Sequence, residues 1–151
     1  MKIFEALRLD HDIQRDLADK LVETAGDSKL RKELYTKLKH ELDIHAQAEE
    51  RYFYVDLINH DMTQEHARHG VAEHHEMDEI MEKLDETDMS SSAWLHHAKE
   101  LREKVYHHLK DEEHTIFQLA GKVLSESSKE SLEKNYRTYM QENDAGIGIE
   151  K

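Results

Sequence analysis

The sequence of 151 residues contains no cysteine, no proline and only five glycines. Without cysteine there is no disulfide and no thiolate ligand, and nothing requires an oxidising compartment. Without proline, long helices can continue uninterrupted, and the few glycines leave few positions for turns. No apolar stretch approaches the ~20 residues that a membrane-spanning helix needs, and the first residues, MKIFEALRLDHD, do not resemble a signal peptide. These absences predict a helical, cytoplasmic protein.

Basic residues are scarce relative to acidic ones: 21 Lys and Arg stand against 34 Asp and Glu, which gives a formal net charge of −13. Binding to nucleic acid or to an anionic membrane surface depends on clustered Lys and Arg, so this balance argues against both kinds of partner. The residue type in excess is histidine, with 13 residues. Histidine is therefore the residue type most informative about function.

Helical periodicity of the apolar residues extends over four long segments with short polar breaks, at residues 3–25, 29–58, 63–86 and 92–124. A shorter fifth segment covers residues 129–141. Four long helices with short connections predict an all-α fold, an antiparallel up-down four-helix bundle. We expect residues 1–126 to form this bundle and residues 127–151 to form a C-terminal helical extension with a flexible tail.

The apolar row of each helix is interrupted by polar residues that titrate. On the fourth helix, the inward row continues from Val105 through His108, Glu112 and Ile116 to Leu119 and Val123. A lone ionised group at such a buried position costs roughly several kcal/mol unless it is paired or bound to a metal. Six residues of this kind stand out: His11, His45, Glu49, His74, His108 and Glu112.

Spacing alone says little about them, because seven histidines have an acid four positions later and such pairs usually decorate exposed helix faces. An internal repeat is more specific. His45 and His108 lie 63 residues apart, and so do His11 and His74, while no other two histidines share that offset. The first two helices therefore look like a copy of the next two, and an antiparallel bundle then brings all four imidazoles to one level.

Two interpretations fit such a layer. A buried network of His and Glu side chains can satisfy itself through hydrogen bonds. A site for two metal ions explains better why both halves contribute the same set, because each half then holds one ion while Glu49 and Glu112 reach between them. Imidazole and carboxylate without thiolate suit iron, zinc, manganese or copper. The small number of ligands favours open positions and a solvent, oxo or hydroxo bridge, as in redox di-iron centres.

The pattern of His11, His45-x-x-x-Glu49, His74 and His108-x-x-x-Glu112 over four helices resembles the hemerythrin-like family of HHE cation-binding domains. The resemblance covers about residues 3–124. It implies a four-helix bundle with a non-haem centre of two iron ions, for which zinc or manganese are possible substitutes. It also implies the roles of the six residues: His11 and His45 as terminal ligands of one iron, His74 and His108 of the other, and Glu49 and Glu112 as bridges.

The sequence departs from the oxygen-carrying hemerythrins at one ligand. Those proteins place a second histidine four residues before the one on the third helix, and that position is Gly70 here. Asp78, one turn after His74, is a candidate oxygen ligand in its place, and solvent is the alternative. Tyr54, Glu50 and Glu113 are candidates for residues that support the ligands, although both glutamates occupy positions that usually face away from the bundle.

A site with one ligand fewer is less suited to reversible oxygen carriage. The resemblance then implies a di-iron protein that reacts with or senses peroxide, oxygen or nitric oxide, and catalase-like peroxide removal is the favoured activity. The alternative is a non-enzymatic module that responds to iron or oxygen. The expected partner is thus a diatomic molecule or peroxide, and no protein partner is indicated.

Overall fold

The computed structural model describes residues 2–146, and within that range the chain forms helices and short connections without a β-strand. Three of the helices are regular: α1 covers Ile3–Val22, α3 covers Gln64–Glu86, and α5 covers Glu126–Glu142. None of the helices in the described range combines the length and the apolar character that crossing a bilayer demands.

Helices α2 and α4 each contain a π-helical segment in their second half. Helix α2 consists of Lys29–Ala48, the π-helical segment Glu49–Tyr54 and a final turn, Val55–Leu57. Helix α4 consists of Ser92–Asp111, the π-helical segment Glu112–Ile116 and a final stretch, Phe117–Val123. The two π-helical segments begin 63 residues apart, at the two glutamates of the internal repeat.

Helices α1 to α4 pack as the antiparallel bundle, and α5 packs across α1 and α2. The predicted fold class is thereby confirmed. Serine side chains fix three of the helix starts: Ser28 accepts a hydrogen bond from the backbone N–H of Arg31, Ser91 from that of Trp94, and Ser125 from that of Ser128. Because Ser125 caps α5, that helix begins three residues earlier than the periodicity predicts.

Two apolar clusters fill the bundle, one toward each end. One contains the start of α1 and the ends of α2 and α4, including Phe53 and Phe117. The other contains the end of α1 and the starts of α2 and α4, including Leu38 and Trp94. The six titratable residues of the repeat lie between the clusters, so an apolar layer covers the polar layer on each side.

Helix α5 joins the first of these clusters. Its residues Leu132, Tyr136 and Met140 are buried there, and Ala145 beyond the helix is buried as well. The backbone N–H of Gly146 then donates to the carboxylate of Glu41, 2.8 Å away. The described part of the extension is thus packed on the bundle, while residues 147–151 of the predicted flexible tail lie outside the described residues. The division of the chain at residues 126 and 127 stays a prediction.

A buried arginine ties together the end of the bundle farthest from α5. The guanidinium of Arg31 donates to the carbonyl of Met89 and to the carbonyl and hydroxyl of Thr24, at 2.6–2.9 Å. Its Cζ also lies 4.9 Å from the ring centroid of Trp94. One side chain therefore connects the loop after α1, the loop before α4 and the apolar core.

We predict that Arg31→Ala lowers the free energy of unfolding by about 2–4 kcal/mol, because it removes three hydrogen bonds, leaves partly buried carbonyl groups without this donor and empties the space beside Trp94. The measurement is urea denaturation followed by circular dichroism. The neighbouring Lys32→Ala is the control, since Lys32 is exposed, and it should change the stability by no more than about 0.5 kcal/mol. Equal effects of the two substitutions would show that the contacts of Arg31 do not stabilise this end of the bundle.

Candidate metal centre

The structure brings all six residues of the repeat into one buried layer. His11 comes from α1, His45 and Glu49 from α2, His74 from α3, and the remaining pair from α4. None of the six residues is more than 4% exposed. Both glutamates are completely buried, which is rare for a carboxylate unless it is paired or bound to a cation.

The π-helical segments begin at the two glutamates of this layer. A π turn replaces i→i−4 by i→i−5 bonding and so adds a residue to one turn; such turns occur mostly at functional sites. In α4 the extra residue shifts the buried row: Phe117, Ala120 and Leu124 are buried, whereas the predicted Leu119 and Val123 are only partly buried. The predicted inward row therefore holds as far as Ile116, which is buried, and was wrong at Leu119 and Val123, because it assumed regular α-helical spacing.

The first half of the layer consists of two imidazoles and one oxygen from each glutamate. Nε2 of His11 lies 3.0 Å from Oε1 of Glu112, and Nε2 of His45 lies 3.3 Å from Oε2 of Glu49. One ligand atom from each of these four residues lies within 4.8 Å of every other, a spacing that can hold a metal ion.

The second half uses the other oxygen of each glutamate. Nε2 of His74 lies 3.3 Å from Oε1 of Glu49, and Nε2 of His108 lies 3.5 Å from Oε2 of Glu112. These four residues form a second group of the same compactness. Each carboxylate thus has one oxygen in each half, which is the arrangement expected of a carboxylate that bridges two cations.

Six polar atoms that face the inside of this layer lack ordinary hydrogen-bond partners. Within residues 2–146, seven buried side-chain nitrogen or oxygen atoms have no hydrogen bond, and six of them belong to the layer: Nε2 of His11, His45 and His108, both carboxylate oxygens of Glu49, and Oε1 of Glu112. Buried polar atoms are normally satisfied, and orphaned ones call for an explanation. All six point at their neighbours within the layer, so the donor set fits a pair of cations better than a self-sufficient network.

Each imidazole is held from behind through its other nitrogen. Nδ1 of His11 lies 2.7 Å from Glu113, that of His74 lies 2.7 Å from Glu50, and that of His108 lies 2.8 Å from Glu73. An Nδ1–H that donates to a carboxylate leaves the lone pair on Nε2, the nitrogen facing the layer. The carboxylates therefore fix both the orientation and the tautomer that metal coordination needs.

His45 is held by a hydroxyl instead of a carboxylate. Its Nδ1 lies 2.7 Å from the hydroxyl oxygen of Tyr136, and that hydroxyl donates to Asp10 at 2.5 Å. Because the tyrosine proton goes to Asp10, the hydroxyl oxygen accepts from the imidazole. A residue of α5 thus completes the set of contacts behind the four histidines.

The roles of Glu73, Tyr136 and Asp10 behind the histidines were not predicted from the sequence. The sequence contains an indication of two of them, because Asp10 and Glu73 are 63 residues apart and each immediately precedes a histidine of the layer. It contains none of Tyr136, since that residue lies outside the repeat. Asp78, the candidate substitute ligand, is exposed on α3 and belongs to neither four-residue group.

Tyr54 fills the space beside Gly70, where the additional histidine of oxygen-carrying hemerythrins is absent. A Cβ atom at Gly70 would lie 2.6 Å from the hydroxyl oxygen of Tyr54. The Tyr54 ring stacks on His74 at 5.6 Å, and its hydroxyl donates to Oε2 of Glu112. In the other half, Phe117 occupies the equivalent place of the repeat and stacks on His11 at 5.7 Å. At this position the two halves of the layer thus differ by one hydroxyl.

The concentration of charge shifts the pKa values within the layer. Burial alone lowers the pKa of His11, but the contacts with Glu112 and Glu113 outweigh it and raise the pKa to about 9. Burial likewise lowers the pKa of His74, but the contacts with Glu49 and Glu50 outweigh it and raise the pKa to about 10. Burial raises the pKa of Glu112, and the nearby Glu49 raises it further. A cation that enters the layer must displace protons from the imidazoles that it binds.

The comparisons with known proteins identify the family. A family model described as the hemerythrin HHE cation-binding domain matches residues 2–120, so the chain belongs to the hemerythrin HHE family. A crystal structure of a hemerythrin HHE cation-binding domain-containing protein from Mycobacterium kansasii has the same fold, with a TM-score of 0.84 and 22% sequence identity over 95% of this chain and 87% of that chain. The search of curated proteins gives no match. Family and buried donor set together make this a metal-binding, hemerythrin-like protein.

We predict that Gly70→Ala lowers the free energy of unfolding by about 1–3 kcal/mol, because the added methyl group collides with the buried ring of Tyr54. Gly121→Ala is the matched control. Its Cβ would lie 3.9 Å from Phe4 in ordinary contact, so better helix propensity should stabilise the protein by about 0.5–1 kcal/mol. Thermal denaturation of both variants measures the difference. A stabilised Gly70→Ala protein would show that Tyr54 does not need this space.

A second prediction concerns the carboxylates behind the histidines. Glu113→Gln and Glu50→Gln should each weaken metal binding by about tenfold or more, because a neutral amide supports the imidazole less strongly than a carboxylate does. Competition with a chelator of known affinity measures the change. Glu65→Gln removes the same charge from an exposed position and should leave the affinity unchanged. If all three variants bind equally well, the contacts do not tune the ligands.

Proposed function

We propose that the six residues of the layer bind two iron ions. His11 and His45 hold one ion, His74 and His108 hold the other, and Glu49 and Glu112 bridge them. The observation that carries this proposal is the division of each carboxylate between the halves, with one oxygen facing each pair of imidazoles. Two carboxylates and four imidazoles suit iron by ligand type, and zinc or manganese are the expected substitutes.

We further propose that this centre reacts with peroxide, oxygen or nitric oxide, and that removal of peroxide is its principal activity. A bound iron pair would supply redox chemistry: two electrons reduce one peroxide to two water molecules, and oxidation of a second peroxide to oxygen would return those electrons. Six ligands shared between two ions leave coordination positions for a small molecule. Reversible oxygen carriage is less favoured because Gly70 stands at the position of the additional histidine of the oxygen carriers and Tyr54 fills the space beside it.

The surroundings of the layer support chemistry protected from bulk water. Apolar clusters cover the layer on both sides, and Phe53, Phe117 and Tyr54 pack around it. The hydroxyl of Tyr54 holds its proton firmly, because burial and the charge of Glu112 raise its pKa well above the usual value. Tyr54 is therefore a hydrogen-bond donor at the edge of the layer, directed at Oε2 of Glu112.

The alternative function is a non-enzymatic module that responds to iron or oxygen. The contact that favours it runs from His45 through the hydroxyl of Tyr136 to Asp10, because it connects the layer with α5. Binding of a cation to His45 would tighten the packing of α5, and its loss would loosen it. Hydrogen exchange of α5 in the metal-free and the loaded protein tests this coupling.

The deciding experiment for the enzymatic proposal is a metal count followed by a peroxide assay. Protein expressed in iron-replete medium should contain about two irons per chain, with the near-ultraviolet absorption typical of a bridged ferric pair. Added peroxide should release oxygen, and His108→Ala should abolish the release because it removes a ligand. His96→Ala, an exposed histidine of the same helix, is the control and should retain activity.

Three outcomes separate the functions. A protein with no metal, or with one tightly held zinc, would refute the di-iron centre. Two irons without oxygen release would favour the sensing module. Two irons with rapid release that depends on His108 would support peroxide removal. The cytoplasmic location expected from the composition stays a prediction.

A further inference from the structure

A second group of metal-ligating side chains lies on the surface between α3 and α4. We name it the α3/α4 surface site; it consists of His69, Glu73, His107 and Asp111. On α3, Nε2 of His69 lies 3.5 Å from Oε2 of Glu73. On α4, Nε2 of His107 lies 3.2 Å from Oδ2 of Asp111. Each helix thus contributes one imidazole and one carboxylate at the i, i+4 spacing.

The two pairs converge across the helix interface. Nε2 of His107 also lies 3.5 Å from Oε2 of Glu73, although the two residues belong to different helices. The ligand atoms of His69, Glu73 and Asp111 all lie within 4.8 Å of one another. By contrast, His96 and His97 share Glu100 on a single helix. Convergence from two helices distinguishes the surface site from ordinary pairs of histidine and acid.

Glu73 connects the surface site with the buried layer. Its side chain is only 3% exposed, while those of His69 and His107 are 60% and 61% exposed. One oxygen, Oε2, faces the two exposed imidazoles, and the other, Oε1, accepts a hydrogen bond from Nδ1 of His108 at 2.8 Å. A single carboxylate therefore separates the surface group from a histidine of the centre.

Within residues 2–146, the other half of the bundle has no counterpart to this group. At the 63-residue offset, the positions of the surface site correspond to Ala6, Asp10, Ile44 and Ala48. Tyr136 of α5 lies there, between Asp10 and His45. One side of the layer is thus closed by α5, whereas the opposite side presents imidazoles and carboxylates to solvent. A cation that approaches the buried layer meets ligands on that open side.

We propose that the α3/α4 surface site captures a first-row divalent cation and passes it to the buried centre past Glu73 and His108. Two imidazoles and two carboxylates form a donor set for such ions. The net charge of −13 raises the concentration of cations near the surface. Capture follows from the surface residues alone, while delivery rests on the proposed two-metal centre.

The test is a titration of metal-free protein with Co²⁺, followed by calorimetry and visible absorption. The wild-type chain should bind three ions, two of them tightly, and His69→Ala/His107→Ala should bind two. Loading of the two tight positions should become slower by about tenfold in this variant, because the local capture of cations is lost. His96→Ala/His97→Ala, which removes two other surface histidines, is the matched control and should behave like the wild type.

The possible results separate this inference from the proposed function. Two ions in the wild type that load at the same rate in the His69→Ala/His107→Ala variant would overturn the surface site and leave the buried centre intact. Three ions in both proteins would also overturn it. A single ion that is lost in the variant would support capture and refute the two-metal centre, and with it delivery. If His96→Ala/His97→Ala also loads more slowly, the effect does not depend on the position of the histidines, and the specific surface site is overturned.

Discussion

The burial of four imidazoles and two carboxylates in one layer is the constraint on which the rest of the structure depends. Ionisable groups are costly inside a bundle unless each finds a compensating contact. Here the compensation has two levels: Nε2 atoms face carboxylate oxygens within the layer, and Nδ1 atoms bind partners behind it. The apolar clusters above and below keep water away and make these contacts stronger. The helix packing that forms the bundle therefore also forms the site.

The internal repeat explains why the two halves of the layer are similar, and departures from the repeat explain why their surroundings differ. Asp10 and Glu73 are equivalent positions, yet Glu73 reaches its histidine directly, whereas the shorter Asp10 reaches His45 through the hydroxyl of Tyr136. The side chain of Asp10 is one methylene group shorter than that of Glu73, and the hydroxyl of Tyr136 on α5 bridges the remaining distance to His45. Where α5 is absent, the surface carries further histidines, and the environment of the layer becomes polar on that flank.

Much of the site could be predicted from the sequence, because buried positions in helices repeat with a known period. The 63-residue echo and the interrupted apolar rows identify His11 and its five companions without structural information. The π-helical segments could not be predicted in this way, since hydrogen-bond register is decided by packing and a period of 3.6 residues assumes it to be regular. Glu50 and Glu113 were candidates for residues that support the ligands, in spite of positions that usually face away from the bundle, and they do contact His74 and His11. Tyr136 lay beyond prediction because its contact joins residues 91 positions apart outside the repeat.

Tyr54 and Phe117 occupy equivalent positions of the repeat, and the difference between them makes the two ends of the layer chemically distinct. Two identical hairpins would generate a centre whose ends are interchangeable, so that either metal position would present the same reactivity to an incoming molecule. A phenol on one end and a bare ring on the other remove that equivalence. In the proposed two-metal centre, two ions of the same element would then differ in acidity and redox potential. The hydroxyl that distinguishes Tyr54 from Phe117 would thus give the two halves different parts in the proposed chemistry.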